Sequence, residues 1–267
     1  MTSTIPPRIV ATDLDGTLLT SSGAISPRTD QAMRLARSAG AEIVFVTARP
    51  PRSVRLLAGR TGLTGLAICS NGAVLYDLAT EKAVASRTIE PRAARRVADS
   101  LAAALPGVAF AVETGTGVLT EAGYTRRVAH DVQNYREVAS ACEAGEPIVK
   151  LLVLSPAHTT DEMNTVAVAA IGGLAEVTHS GVPGLLEVSA PGVTKAAMLA
   201  ELCRERGVEP AEVVAFGDMP NDLPALAFAG AGYAMANAHP LVLAAARHRT
   251  SSNDEDGVAQ VLERLYG

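Results

Sequence analysis

An apolar run near the start of the chain, IVATDLDGTLLT at residues 9–20, ends in two aspartates, Asp13 and Asp15. Alternate residues of a strand share a face, so the pattern predicts that both carboxylates point the same way while Leu14 turns into the packing. Two neighbouring carboxylates repel each other and are costly to bury unpaired. We therefore expect a cation, a shared proton or water to offset the repulsion between the two carboxylates.

Composition and charge indicate a globular protein. The chain has 267 residues, 48% hydrophobic and 19% charged with a net charge of −5, which is enough for one large domain or two smaller ones. No basic block favours nucleic acid, and no apolar run is long enough to span a bilayer. Three separated cysteines indicate neither a disulfide framework nor a zinc site, and residues 1–8 do not resemble a signal peptide. We expect a cytoplasmic monomer or homodimer that binds neither nucleic acid nor membranes.

Short apolar runs alternate with amphipathic stretches at both ends of the chain. The strand predicted over residues 8–13 is followed by a helix over residues 26–40, with Ser26 as N-cap and Pro27 at the first helical position. The same alternation returns from Thr194 to the C-terminus. This pattern is typical of a parallel sheet with helices on its faces, so the predicted fold class is α/β.

The middle of the chain has a different pattern. Residues 87–107 predict a helix, residues 108–121 predict a hairpin, and further strand candidates follow. We interpret this region as a separate α+β unit inserted into the α/β core. The predicted bounds are 1–85 and 188–267 for the core, and 86–187 for the insertion.

Three predicted core strands end in polar residues. Asp13 and Asp15 follow the first strand, Thr47 ends the second, and Asp218 ends a strand near the C-terminus. Ligands of open α/β sheets bind outside the carboxyl ends of the strands, so these side chains are expected to meet. The carboxylates form an oxygen-rich cluster suited to Mg²⁺, and Asp222, one helical turn after Asp218, lies on the same face.

Short motifs in this order resemble a known family. The sequence DLDGT at residues 13–17, Thr47, Lys195 and GDMPND at residues 217–222 are similar to the four motifs of the haloacid-dehalogenase superfamily. Four further stretches resemble its Cof-type branch: SNGA at 70–73, LLEVSAPGVTKAAML at 185–199, AMANAHP at 234–240 and NDEDGVA at 253–259. The resemblance implies a Rossmann-like parallel-sheet core with an inserted α/β cap.

The resemblance also implies an activity: Mg²⁺-dependent hydrolysis of a small phosphorylated metabolite, such as a sugar phosphate or a phosphorylated cofactor or its precursor. Asp13 would be the nucleophile that forms an aspartyl-phosphate, and Asp15 the general acid and base. Thr47 and Lys195 would stabilise the transferred phosphoryl group. The implied metal residues are Asp13, Asp218, Asp15 through its backbone carbonyl, and Asp222, which would orient Lys195 or metal-bound water.

Other residues are candidates for substrate binding, namely Gly16, Arg49, Ser70, Asn71, Glu187 and Asn221. Arg49 and the Ser70–Asn71 pair are equally compatible with a surface arginine and a plain turn. Glu113, Lys150 and Glu187 lie on or beside predicted strands of the insertion, where solvated charges are the favoured interpretation and contact with substrate is the alternative.

Two other functions remain open at this point. A phosphomutase would form the same aspartyl-phosphate and deliver it to a sugar hydroxyl. A module that only binds phosphorylated ligands would have no need of a nucleophile and an acid, so intact Asp13 and Asp15 argue against it.

Overall fold

The computed structural model describes residues 6–267, so residues 1–5 of the segment compared with a signal peptide lie outside the described residues. Two β-sheets organise the chain, one of eight strands and one of six. The first part of the chain starts the larger sheet. Its elements are β1 (Ile9–Thr12), α1 (Pro27–Ser38), β2 (Glu42–Val46), α2 (Pro51–Thr61), β3 (Leu66–Cys69), β4 (Val74–Asp77) and β5 (Lys82–Ser86).

The middle of the chain builds the smaller sheet and two helices. Its elements are α3 (Pro91–Ala104), β6 (Ala109–Glu113), β7 (Val118–Thr120), β8 (Tyr135–Glu137), β9 (Lys150–Leu154), α4 (Thr160–Ile171), β10 (Glu176–Thr178) and β11 (Leu185–Ser189). The predicted hairpin is present as the antiparallel pair of β6 and β7.

The last part of the chain returns to the larger sheet. Its elements are α5 (Lys195–Arg206), β12 (Val213–Gly217), α6 (Leu223–Phe228), β13 (Ala231–Ala234), α7 (Pro240–Ala245), β14 (His248–Arg249) and α8 (Gly257–Tyr266).

The larger sheet has the order β14-β13-β12-β1-β2-β3-β4-β5, and its strands are parallel from β14 to β3. β1 therefore lies between β12 and β2, and the carboxyl ends of these three strands are adjacent. Helices α1, α2 and α8 pack on one face of this sheet, and α5 and α6 pack on the other. The predicted α/β fold with a parallel sheet is confirmed, and the carboxylates that follow β1 and β12 start from neighbouring strands.

Local signals in the sequence explain where α1 starts. The Ser26 hydroxyl accepts a hydrogen bond from the Thr29 amide at 3.0 Å, and Pro27 is the first helical residue. The predicted N-cap is confirmed.

The smaller sheet has the order β10-β11-β9-β6-β7-β8. One face packs under α3 and α4 through residues such as Val112, Leu151 and Leu186. The other face carries a smaller apolar cluster that includes Ala111, Leu152 and Leu185. This second face looks towards the carboxyl ends of the core strands, and we call the unit the cap.

The strand bounds differ from both predicted cap boundaries. Ser86 belongs to β5 of the larger sheet, whereas Val188 and Ser189 belong to β11 of the smaller one. A boundary drawn inside a strand would divide one hydrogen-bonded ladder between two units. We therefore propose that the cap begins after Ser86 and ends after Ser189.

Two findings concern membranes and cysteines. Across residues 6–267, no helix combines the length and the apolar character that crossing a bilayer requires. Cys69, Cys142 and Cys203 are all buried and free.

Candidate active site

A buried lysine joins the predicted nucleophile to one of the predicted metal-site carboxylates. Lys195 starts α5, and its Nζ donates to Asp13 Oδ1 at 2.7 Å and to Asp222 Oδ1 at 2.6 Å. Burial alone would lower the pKa of Lys195, but contact with Asp13 and then Asp222 raises it above its ordinary value. The ammonium group is therefore retained as a fixed positive charge beside Asp13.

Asp222 and Asp218 are held by short-range hydrogen bonds. Asp222 Oδ2 accepts from the backbone amides of Asp218 at 3.1 Å and Met219 at 3.0 Å, so both oxygens of its carboxylate are engaged. Asp218 Oδ1 accepts from the hydroxyl of Thr17 at 2.9 Å. Asp222 thus orients Lys195, and Thr17 of the first motif orients Asp218 of the last one.

The carboxylate cluster fits a hard divalent cation. Oxygens of Asp13, Asp218 and Asp222 lie within 4.8 Å of one another, with the single ammonium of Lys195 to balance them. Burial, together with the neighbouring carboxylates, raises the pKa of Asp13 well above its ordinary value and that of Asp218 to about 7. An additional cation would relieve this excess of negative charge, and carboxylate oxygens are the ligands that Mg²⁺ prefers.

Gly16 keeps room beside Asp218. Its φ of +74° is in the left-handed region, and a Cβ there would lie 2.4 Å from Asp218 Oδ2. Any other residue would displace the carboxylate. The close approach therefore packs the backbone of Gly16 directly against the Asp218 carboxylate.

Asp15 has a different environment from Asp13. β1 ends at Thr12, so the two acids lie just after the strand rather than in it, but both line the cavity between the core and the cap, as predicted. Asp15 forms two hydrogen bonds with Arg49, at 2.7 and 2.6 Å, and its side chain is 57% exposed. Each acid therefore has its own basic partner. Leu14 is fully buried, as predicted.

The loops after β2 and β3 are hydrogen-bonded to each other. The Asn71 amide donates to the Thr47 carbonyl at 3.1 Å, and the Ser70 amide donates to the Arg49 carbonyl at 2.9 Å. The Thr47 hydroxyl accepts from the Arg49 amide at 3.1 Å. Within residues 6–267, the buried Ser70 hydroxyl has no hydrogen-bond partner.

The backbone from Ser70 to Gly72 is unusual. Its φ angles are 50°, 58° and 101°, a left-handed run in which the first two residues are not glycine. Gly72 is required here, because a Cβ would lie 2.1 Å from the Thr194 carbonyl oxygen. The Asn71 side chain accepts from Asn221 Nδ2 at 3.1 Å. The strained turn thereby brings Asn71 against α5 and the last motif.

A cavity of about 410 Å³ lies between the core and the cap. Seven predicted site residues line it, namely Asp13, Asp15, Thr47, Arg49, Glu187, Lys195 and Asn221. Asp218 and Asp222 lie behind Asp13 and Lys195 rather than on the cavity wall, and Gly16, Ser70 and Asn71 do not line this cavity either. The structure thus brings all the predicted residues to one site, with the carboxylate cluster beneath it.

Three cap residues form what we call the charged row: Glu113, Lys150 and Glu187. All three are buried, so the favoured interpretation of them as solvated charges is wrong. Lys150 Nζ donates to Glu187 and also to the Ala48 carbonyl of the core at 2.8 Å. Burial alone would raise the pKa of Glu187, but Lys150 holds it below its ordinary value.

Sequence reasoning missed Arg52 and Asp131. Arg52 on α2 donates to Glu113 at 2.8 Å and to Asp131 at 2.6 Å, and its side chain is only 11% exposed. Arg52 lies in the first turn of α2, three residues after Arg49, so its closeness in sequence could have indicated a second cation near the site. Asp131 lies in a 3₁₀ segment of the cap where no motif marks it.

Comparisons with known proteins agree with this geometry. A family model described as haloacid dehalogenase-like hydrolase matches residues 10–262. The chain is 27% identical to 5-amino-6-(5-phospho-D-ribitylamino)uracil phosphatase YcsE of Bacillus subtilis, over 96% of this chain and 94% of that protein. It is also 27% identical to pyridoxal phosphate phosphatase YbhA of Escherichia coli, over 96% and 97% of the two chains.

Solved structures share the fold. A haloacid dehalogenase-like hydrolase from B. subtilis superimposes with a TM-score of 0.81 at 24% identity, covering 97% of this chain and 99% of that one. The chain belongs to the haloacid dehalogenase-like hydrolase family, since the family match covers most of its length. It is an enzyme with the α/β core and cap of that family.

Proposed function

We propose that the protein is a Mg²⁺-dependent phosphatase that hydrolyses a small phosphomonoester through an aspartyl-phosphate on Asp13. The observation that carries this proposal is the buried Asp13–Lys195–Asp222 arrangement beneath a cavity whose mouth holds Asp15 and Arg49. A nucleophile, a fixed cation and a second carboxyl group at one wall are the parts that phosphoryl transfer needs.

Asp13 and Asp15 have different roles in the proposed reaction. An oxygen of Asp13 forms a bond to phosphorus while the bond to the leaving oxygen breaks, and Asp15 gives that oxygen a proton. Water then attacks the phosphorus and gives its proton to Asp15, and the bond from phosphorus to Asp13 breaks. The products are an alcohol and inorganic phosphate, and both aspartates return to their starting states.

Arg49 changes partner during this cycle. Arg49 binds both oxygens of the Asp15 carboxylate in the structure, so both oxygens are occupied. A bound phosphoryl group offers Arg49 a stronger bidentate partner. Its transfer to the phosphoryl group would free Asp15 to carry the proton.

The phosphoryl group has a set of donors around it. Lys195 supplies a point charge, and the hydroxyl of Thr47 supplies a hydrogen bond from the loop after β2. Asp13, Asp218 and the Asp15 carbonyl would hold Mg²⁺, with Asp222 fixing Lys195 behind them. The bound ion would neutralise charge on the phosphoryl group, so that an anion can attack an anion.

The proposed substrate is a small phosphorylated metabolite. The cavity volume of about 410 Å³ suits a phosphomonoester with a leaving group of modest size. Relatives of this chain are named as phosphatases of 5-amino-6-(5-phospho-D-ribitylamino)uracil and of pyridoxal phosphate. The free, buried cysteines support a cytoplasmic location.

Phosphate release from a panel of phosphorylated sugars, pyridoxal phosphate and p-nitrophenyl phosphate tests the proposal, with Mg²⁺ and with EDTA. We expect Mg²⁺-dependent release by the wild-type protein and none above background by a folded Asp13→Asn variant. An isomerised phosphosugar without free phosphate would indicate a mutase. Binding of these esters without any turnover would indicate a binding protein.

A further inference from the structure

We propose that the charged row is a set of positioning residues that ties closure of the cap to the loops holding the phosphoryl group. This inference rests on the proposed function. Glu113, Lys150 and Glu187 lie on three adjacent strands of the cap sheet, β6, β9 and β11. Glu113 is directly opposite Lys150. Glu187 is opposite Leu152, two residues along β9, and is therefore a diagonal neighbour of Lys150 on the same face.

Each member of the charged row has a partner on a different core element. Glu113 binds Arg52 of α2, Lys150 binds the Ala48 carbonyl in the loop after β2, and Glu187 accepts from Asn71 Nδ2 at 3.2 Å in the loop after β3. Exposed fractions of 3–4% show that these contacts are shielded from water. The row therefore contacts three core segments at once.

These contacts hold the phosphoryl-binding loops from two sides. Ala48 lies between Thr47 and Arg49, so Lys150 fixes the peptide that carries both donors. Asn71 is fixed by Glu187 through its side chain and by Thr47 through its amide. A closed cap thus stiffens the residues that receive the phosphoryl group, and an open cap releases them.

The pairing of Lys150 with Glu187 allows the cap to open again. Both residues belong to the cap, so they keep each other when the cap lifts, and their hydrogen bonds to Ala48 and Asn71 are exchanged for water. Opening also separates Arg52 of the core from Glu113 and Asp131 of the cap. Buried ion pairs are commonly neutral or unfavourable for stability compared with apolar residues. We therefore explain the Lys150–Glu187 pair by its role in positioning the core loops, and not by a gain in the stability of the fold.

The test is a double variant, Lys150→Met with Glu187→Gln, which removes both charges together and leaves neither unpaired. Its matched control is Arg136→Met with Glu146→Gln, an ion pair on the exposed surface of the cap. We expect the test variant to fold, to lose about 10- to 100-fold in kcat, and to exchange amide hydrogens faster in residues 47–49 and 70–72. The control is expected to match the wild type in both measurements.

A folded test variant with the kcat and the exchange rates of the wild type would overturn the inference. If that variant does not fold, Glu187→Asp keeps both charges and withdraws the carboxylate from Asn71. Wild-type kcat and exchange in Glu187→Asp would then overturn it. If the wild-type protein releases no phosphate from any ester, the proposed function fails, and the exchange rates alone decide whether the row holds the loops.

Discussion

The core half and the cap half of the cavity differ in how their charged groups are paired. In the core half, Asp13, Lys195 and Asp222 contact one another and need no residue of the cap. In the cap half, Glu113 and Lys150 bind core partners, Arg52 and the Ala48 carbonyl, across the boundary between cap and core. We infer that the core half carries the chemistry, and that the cap half determines when the site is closed.

Among variants that keep the nucleophile Asp13, the largest effect is expected from Asp15→Asn, a change in the core half. The variant cannot deliver or accept the proton, so kcat should fall by about 10²- to 10⁴-fold while the fold is kept. Steady-state phosphate release and a thermal melt measure the two properties. Asp30→Asn, which removes a carboxylate from a surface ion pair with Arg34, is the control. Equal kcat for both variants would contradict the role of Asp15.

Arg52→Met should disturb the cap half instead. It leaves Glu113 and Asp131 buried without their guanidinium, which costs the closed state about 3–5 kcal/mol. The cap should then favour an open position, where both carboxylates reach water. We expect a larger radius of gyration by small-angle scattering and a higher KM. Unchanged scattering, matching that of the surface variant Arg34→Met, would show that Arg52 does not hold the cap.

Gly16→Ala should weaken metal binding in the core half. The new Cβ would lie 2.4 Å from Asp218 Oδ2 and push this carboxylate aside. The Mg²⁺ concentration for half-maximal activity should rise about 10- to 100-fold. Gly23 is a matched control, because its φ of +75° imposes the same strain and nothing lies within 4 Å of its Cβ. If Gly23→Ala has the same effect, strain rather than displacement of Asp218 is responsible.

The smallest effect concerns pH and Glu187. Lys150 lowers the folded-state pKa of Glu187, so this group stabilises the fold at pH values above its unfolded-state pKa of about 4.3, and the stabilisation is lost as the pH falls through the folded-state value. Glu187→Gln should therefore be less stable than the wild type at pH 7, and the difference should vanish in acid. Urea unfolding between pH 7 and pH 3 measures it. A difference that stays constant with pH would contradict the assignment.

The core half could be predicted from the sequence because its signals are local. Asp13 follows β1, and Asp218 follows β12, which pairs with β1 in parallel. The carboxyl ends of neighbouring parallel strands lie side by side, so the two acids start close together. Lys195 starts a helix next to its N-cap Thr194. Once the order of the strands is known, these side chains must meet at one edge of the sheet.

The cap half could not be predicted because its contacts join distant parts of the chain. Arg52 and Asp131 are 79 positions apart, and no local pattern relates them. The burial of Lys150 depends on the cap lying against the core, since its own strand also suits a surface charge. We propose that the cap ends after Ser189 rather than before residue 188, because β11 continues past Glu187 to Ser189.

Trapping of the covalent intermediate tests the central claim most directly. Wild-type protein would be mixed with a ³²P-labelled phosphomonoester in Mg²⁺, quenched in acid within milliseconds and analysed for label on the peptide that contains Asp13. We predict labelled protein in the wild type and in Asp15→Asn, and none in Asp13→Asn. Rapid phosphate release with no labelled protein, or label that persists in Asp13→Asn, would contradict the assignment of Asp13 as the nucleophile.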